Sequence, residues 1–102
     1  MIHVVAVITA KPGLREKILE AVRANVPAVR AEAGCIEYGP AVDLDPALPI
    51  QTSYGPDTFV VIEKWESVEA LRAHAVAPHM QAYAAQVKAH IAARAVHVLQ
   101  PT

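Results

Sequence analysis

The segment Phe59-Val60-Val61-Ile62-Glu63-Lys64-Trp65 constrains this chain more than any other. A nearly continuous apolar run that is too short for a helix reads as a strand buried on both faces. Whatever fold the chain adopts must therefore cover two sides of this strand. The other elements follow from local patterns. Residues 2 to 9, Ile-His-Val-Val-Ala-Val-Ile-Thr, are rich in β-branched side chains and predict a strand that Lys11-Pro12-Gly13 ends. From Leu14, apolar residues recur at Ile18, Val22, Val26 and Val29, the spacing of a helix with one buried stripe. Pro27 should kink or thin that helix, and Gly34 should stop it.

Cys35 to Leu44 reads as a second strand, with Gly39-Pro40 marking an irregularity or an edge position. Between Asp45 and Asp57, Pro46, Pro49, Gly55 and Pro56 break any regular element, so a long functional loop is expected. Its Leu48, Ile50 and Tyr54 would need a pocket mouth or a partner subunit to cover them. After the apolar strand, Ser67 is placed to cap a helix whose inner stripe is Val68, Leu71 and Ala75. Pro78 interrupts that helix and opens another, with Met80, Tyr83, Val87 and Ile91 at buried spacing. Residues 94 to 100 close the chain as a strand. The order is β-α-β-β-α-β with the second helix broken in two, the ferredoxin-like split unit of an α+β protein: an antiparallel sheet with helices on one face.

Length and composition set the scale of this unit. At 102 residues the chain is expected to form one domain over residues 1–102. The hydrophobic fraction of 54% includes 20 alanines, so the larger apolar side chains make only a modest core. Burying more surface against a second copy would supplement it, and an oligomer is expected. Nine basic against ten acidic residues leave no electrostatic footprint for nucleic acid or an anionic membrane. No stretch approaches the roughly 18 apolar residues of a membrane span, and the first residues lack the basic region and cleavage site of a signal peptide. The single cysteine, Cys35, allows no intrachain disulfide and no multi-thiolate metal site. A cytoplasmic protein fits.

Strand parity turns Phe59, Val61, Glu63 and Trp65 to one face and Val60, Ile62 and Lys64 to the other. A carboxylate beside an indole on an apolar strand is costly alone, so Glu63 should find a donor, pair with a base, or have a raised pKa. His74 and His79 are five apart across Pro78, which spoils the four-residue spacing of zinc-binding histidines on one helix. A surface histidine is the commoner state, but His74 lies at the junction of the broken helix. There its side chain could face a cavity and act as a base near neutral pH. Tyr38, Tyr54 and Tyr83 most simply bury a ring and hydrogen-bond through the hydroxyl. The four glycines are isolated, so no dinucleotide or phosphate loop occurs, and no cofactor is expected.

The segments Glu32-Ala33-Gly34-Cys35-Ile36-Glu37-Tyr38 and Phe59 to Ser67, then Ala70-Leu71, His74 and Pro78-His79-Met80, resemble the antibiotic biosynthesis monooxygenase family. They are most similar to its bacterial quinol monooxygenase branch, which oxidises menadiol to menadione. The resemblance spans nearly the whole chain. It implies a ferredoxin-like α+β protomer, a homodimer whose sheets form a shared barrel (a dimeric α+β barrel), and oxygenation of a small aromatic substrate by O2 without flavin, haem or metal. Carried onto matching positions, it makes His74 the base, with His79 or Glu63 orienting it or relaying the proton. Trp65 becomes an aromatic wall for a flat ring, and Tyr38, Tyr83, Tyr54 and Val61 further substrate-contacting residues.

The sequence also departs from other branches. Val61 stands where an aromatic-polyketide oxygenase branch has a working asparagine. The tryptophan and histidine of a haem-degrading branch fall near His74 and Ala84. An isomerase of a phosphorylated dione shares the histidine pair with its intervening proline, so an isomerase is the alternative on this fold. It would need Lys or Arg at the pocket rim, for which Arg72 and Lys64 are available. A non-catalytic small-molecule-binding dimer is the third reading.

Overall fold

In the computed structural model of residues 1–102, the chain forms β1 (Ile2–Ala10), α1 (Arg15–Arg30), β2 (Cys35–Ala41), β3 (Thr58–Trp65), α2 (Val68–Ala75), α3 (Pro78–Val87) and β4 (Ile91–Leu99). A single 3₁₀ turn, Lys88–His90, joins α3 to β4. This is the ferredoxin-like order, with every neighbouring strand pair antiparallel in a sheet ordered β2-β3-β1-β4.

The register sets which side chains share a face. Val4 lies opposite Glu63, Ala6 opposite Val61 and Ile8 opposite Phe59. These residues are buried under the helices with Ile18, Val22 and Val29 of the α1 stripe that the sequence spacing predicts, and with Leu19 beside it. Pro27 does not end α1, which runs on to Arg30. The Ser67 hydroxyl accepts from the Ala70 N–H at 3.1 Å and caps α2 as expected.

Element boundaries differ from the sequence reading at two places. β2 stops at Ala41 rather than Leu44, because the Asp43 carboxylate turns back to accept from the backbone N–H groups of Tyr54 and Gly55 and draws the chain out of the sheet. Ile91 belongs to β4 rather than to the stripe of α3. There the Lys11 N–H donates to the His90 carbonyl and ties the turn to the end of β1. The loop from Val42 to Asp57 is pinned by Asp43 and Gln51, yet it leaves Leu48 and Tyr54 exposed and Ile50 92% exposed.

The expected barrel is not formed. The sheet is open, with β2 and β4 as free edges. Four strands are too few to close on themselves; about eight give an interior just wide enough for side chains to fill. The outer face of β3 is also uncovered within the chain, with Ile62 41% exposed. No helix is long and apolar enough to cross a membrane.

Candidate functional site

The break between α2 and α3 opens a space above the sheet. The cavity there has a volume of about 690 Å³. Its floor is the helix-facing side of β1, β3 and β4, including Val4, Ala6, Val61 and Val96, and its roof is Leu71, Met80 and Tyr83. Fifteen of its nineteen lining residues are hydrophobic. The four others are Glu63, His74, Lys88 and Arg94. A mostly apolar pocket with a few convergent polar groups is what a small organic ligand requires.

His74 is the best-anchored of these groups. It comes from the last turn of α2 and is buried with Glu63. Its ring lies between Trp65, with centroids 4.6 Å apart, and the edge of Tyr38 at 5.5 Å. Nδ1 is 2.9 Å from Oε2 of Glu32, and Nε2 is 3.9 Å from Oε1 of Glu63. The same Glu32 oxygen lies 2.7 Å from Nε2 of His79. An ionised carboxylate only accepts, so both histidines donate to Glu32. The tautomer of His74 is thereby fixed with its proton on Nδ1. Nε2 is left as the basic atom, next to the cavity.

The turn that supplies Glu32 is held by close backbone packing. Gly34 has φ +83°, and a Cβ there would stand 2.6 Å from Cβ of Ala70 on α2. The Gly34 carbonyl accepts from the Glu66 N–H at 2.8 Å, which locks this turn onto the entry to α2. Glycine thus lets the turn approach α2 closely enough for Glu32 to reach both histidines.

Glu63 finds the donor that the sequence reading required. The Trp65 indole N–H donates to its Oε1 at 2.9 Å. Burial pushes the Glu63 carboxyl above its usual range, against the opposing pull of that hydrogen bond and of His74. Burial also pushes the Tyr38 and Tyr83 phenols up, so both stay protonated as donors. Tyr38 is raised further by the nearby Glu63, whereas Arg94 partly opposes the effect at Tyr83.

The structure thus brings Glu63, His74, Tyr38, Tyr83 and Val61 together at the cavity but separates three expected residues from it, of which His79 stays tied to the site through Glu32. Trp65 is 0% exposed and backs His74 and Glu63 without lining the cavity. Tyr54 projects from the exposed loop. His79 faces a small surface groove between α1 and α3. Glu32 was missed, although an acidic residue two before a turn glycine was the available signal. Lys64 pairs with Glu37 at 3.1 Å, and Arg72 is likewise absent from the lining; the cations at the cavity are Lys88 and Arg94. No three His, Cys, Asp or Glu side chains are grouped to hold a metal ion.

An α+β sheet roofed by a broken helix, with a buried histidine facing an apolar pocket, defines a small-molecule enzyme of the ferredoxin-like class. The sequence model of the antibiotic biosynthesis monooxygenase family matches residues 1–86, and the chain belongs to that family. It is 40% identical over 103 residues to the probable quinol monooxygenase YgiN of Escherichia coli (strain K12), covering 99% of this chain and 98% of that protein. The Shigella flexneri protein of the same name matches equally. Among solved structures, PA3566 from Pseudomonas aeruginosa superposes with a TM-score of 0.83 at 28% identity, covering 99% of this chain and 93% of that one. Rv0793 from Mycobacterium tuberculosis gives 0.81 at 28% identity, with 99% and 94% covered. The chain is an oxidoreductase related to the quinol monooxygenases.

Proposed function

We propose that the protein oxidises a quinol, or a related electron-rich phenol, directly with O2 and without a cofactor. The observation that carries this reading is the His74 imidazole. It is buried over an apolar cavity, its Nδ1–H is held by Glu32, and its Nε2 is free to take a proton. His74 removes the hydroxyl proton, and Glu32 stabilises the imidazolium. Tyr38 and Tyr83, kept protonated, donate to the phenolate as it forms. The anion then gives electrons to O2.

In simple oxidation the quinol loses two electrons and two protons, and O2 becomes hydrogen peroxide. In oxygen insertion one atom of O2 enters the ring, giving a hydroxyquinone, and the other leaves as water. Trp65 serves as the support that sets Glu63 and His74 rather than as a surface for the substrate.

The test is O2 uptake recorded with quinone absorbance on menadiol in air, against a protein-free control and with chelator present. Enzyme-dependent uptake supports the reading, and a rate equal to the control overturns it. Labelled O2 and mass spectrometry then separate peroxide formation from insertion.

We further infer that residues 1–102 act as one domain in a homodimer, in which a second copy covers the outer sheet face around Ile62 and Leu99. The lone Cys35 suits a reducing compartment, the cytoplasm. A monomeric mass by light scattering at micromolar concentration overturns the dimer.

A further inference from the structure

The cavity has two chemically different ends. At one end Glu63 and His74 sit at the level of Val4 on β1. Toward the other, Arg94 lies opposite Ile8, four positions along β1 from Val4 and so about 13 Å away along the strand. Lys88 lines the same end from the turn after α3. Neither cation has an acidic side chain within ion-pair distance, whereas Lys64 and Arg23 do. The Arg94 charge acts inward, where it counters the effect of burial on both Tyr83 and Glu63. Two cations without an acidic side-chain partner, beside the apolar lining at this end, leave it positively charged.

We propose that the substrate carries a carboxylate on its aromatic ring system, received by Arg94 and Lys88 while the opposite ring edge presents its hydroxyl to His74. The guanidinium fork matches a planar carboxylate through two parallel hydrogen bonds, and Lys88 adds a point charge. A phosphate dianion fits this end less well. It lies at the C-terminal end of α3, where the helix dipole is negative, and no helix N-terminus or glycine-rich loop faces it. The backbone positions of the two ends are about 13 Å apart, and with the reach of the Arg94 side chain across part of that distance a fused two-ring compound with polar groups at opposite edges can bridge them. The ring chemistry of this inference rests on the quinol reading, but the anion site rests on the cavity alone.

Binding tests the anion site without turnover. Dissociation constants of 6-hydroxy-2-naphthoate, 2-naphthol and 6-hydroxy-2-naphthyl phosphate are measured by calorimetry at low salt on the unmodified protein, Arg94→Gln and Lys88→Gln. The naphthoate should bind at least about tenfold tighter than the naphthol, and Arg94→Gln should remove most of that ratio, the scale of one lost hydrogen bond to a charged group. Both cations are exposed, so circular dichroism of the variants should match the parent. An unchanged ratio in both variants, or tighter binding of the phosphate, overturns the proposal. The ratio of kcat/KM for 5,8-dihydroxy-2-naphthoate, whose carboxylate is on the ring remote from the quinol hydroxyls, over menadiol should fall in parallel. Oxidation of menadiol with no preference for the carboxylate sinks the anion site and leaves the quinol reading standing. Selective naphthoate binding with no oxidation of either quinol does the reverse.

Discussion

Oε2 of Glu32 lies 2.9 Å from Nδ1 of His74, across 42 residues of sequence, and this one contact decides which nitrogen of the imidazole is basic. Because the carboxylate accepts the hydrogen bond from Nδ1–H, the lone pair is on Nε2, the nitrogen that faces Glu63. Removing the imidazole in His74→Ala should lower kcat by roughly 10²- to 10⁴-fold, the usual contribution of a general base. Steady-state O2 uptake on menadiol checks this. Full turnover in that variant would remove His74 from the chemistry.

Glu32 acts through His74, so its variants should separate positioning from folding. Glu32→Gln retains the volume but loses the charge that steadies the imidazolium and accepts from both histidines. We expect kcat to fall about 10- to 100-fold with KM little changed, since the loss falls on the transition state. Glu32→Asp, which keeps the charge on a shorter arm, should recover part of it. A rise in KM alone, or equal activity in Gln and Asp variants, would contradict a positioning role.

How much of this was legible beforehand varies with the kind of information each residue carries. Parity along β3 turned Glu63 and Trp65 to the same side, and the break at Pro78 marked His74, because both are local patterns. Glu32 sits in a turn with no periodicity, and its meaning depends on Gly34 letting that turn close on α2. Trp65 was expected to face substrate, but parity gives direction without depth. The packing places its whole indole behind His74. The end of β2 was misplaced because the Asp43 carboxylate reaches across eleven residues to Tyr54, a contact with no sequence signature. The open sheet departs from a barrel that only the resemblance had implied.

Trp65 is the only tryptophan, and its indole donates to Glu63, so its emission should report the ionisation of that carboxyl. Burial raises Glu63 above its ordinary value of 4.5, so the folded protein keeps a proton that the unfolded chain has released. The folded state then binds more protons, and stability falls as pH rises above about 4.5 through the folded-state value. A fluorescence titration should show a midpoint above 4.5. Glu63→Gln, which keeps an acceptor for the indole, should abolish that transition and flatten the decline in stability over the same window. A midpoint at or below the ordinary value would show that the carboxyl is not held neutral by burial.

Gly34→Ala offers a last test, because two separable costs meet at that position. The backbone φ of +83° costs an alanine roughly 1–2 kcal/mol. The added Cβ would also meet Ala70 Cβ at 2.6 Å, so the turn must retreat from α2. Retreat moves Glu32 away from His74 and His79, and activity should therefore fall by more than the loss of folded protein explains. Pairing it with Ala70→Gly removes the collision but keeps the backbone cost. The double variant should regain turnover per folded molecule while its midpoint in denaturant stays below that of the Ala70→Gly parent. Coupling of that kind is read directly from a double-mutant cycle. If turnover stays low in the double variant, steric approach at Gly34 is not what places Glu32.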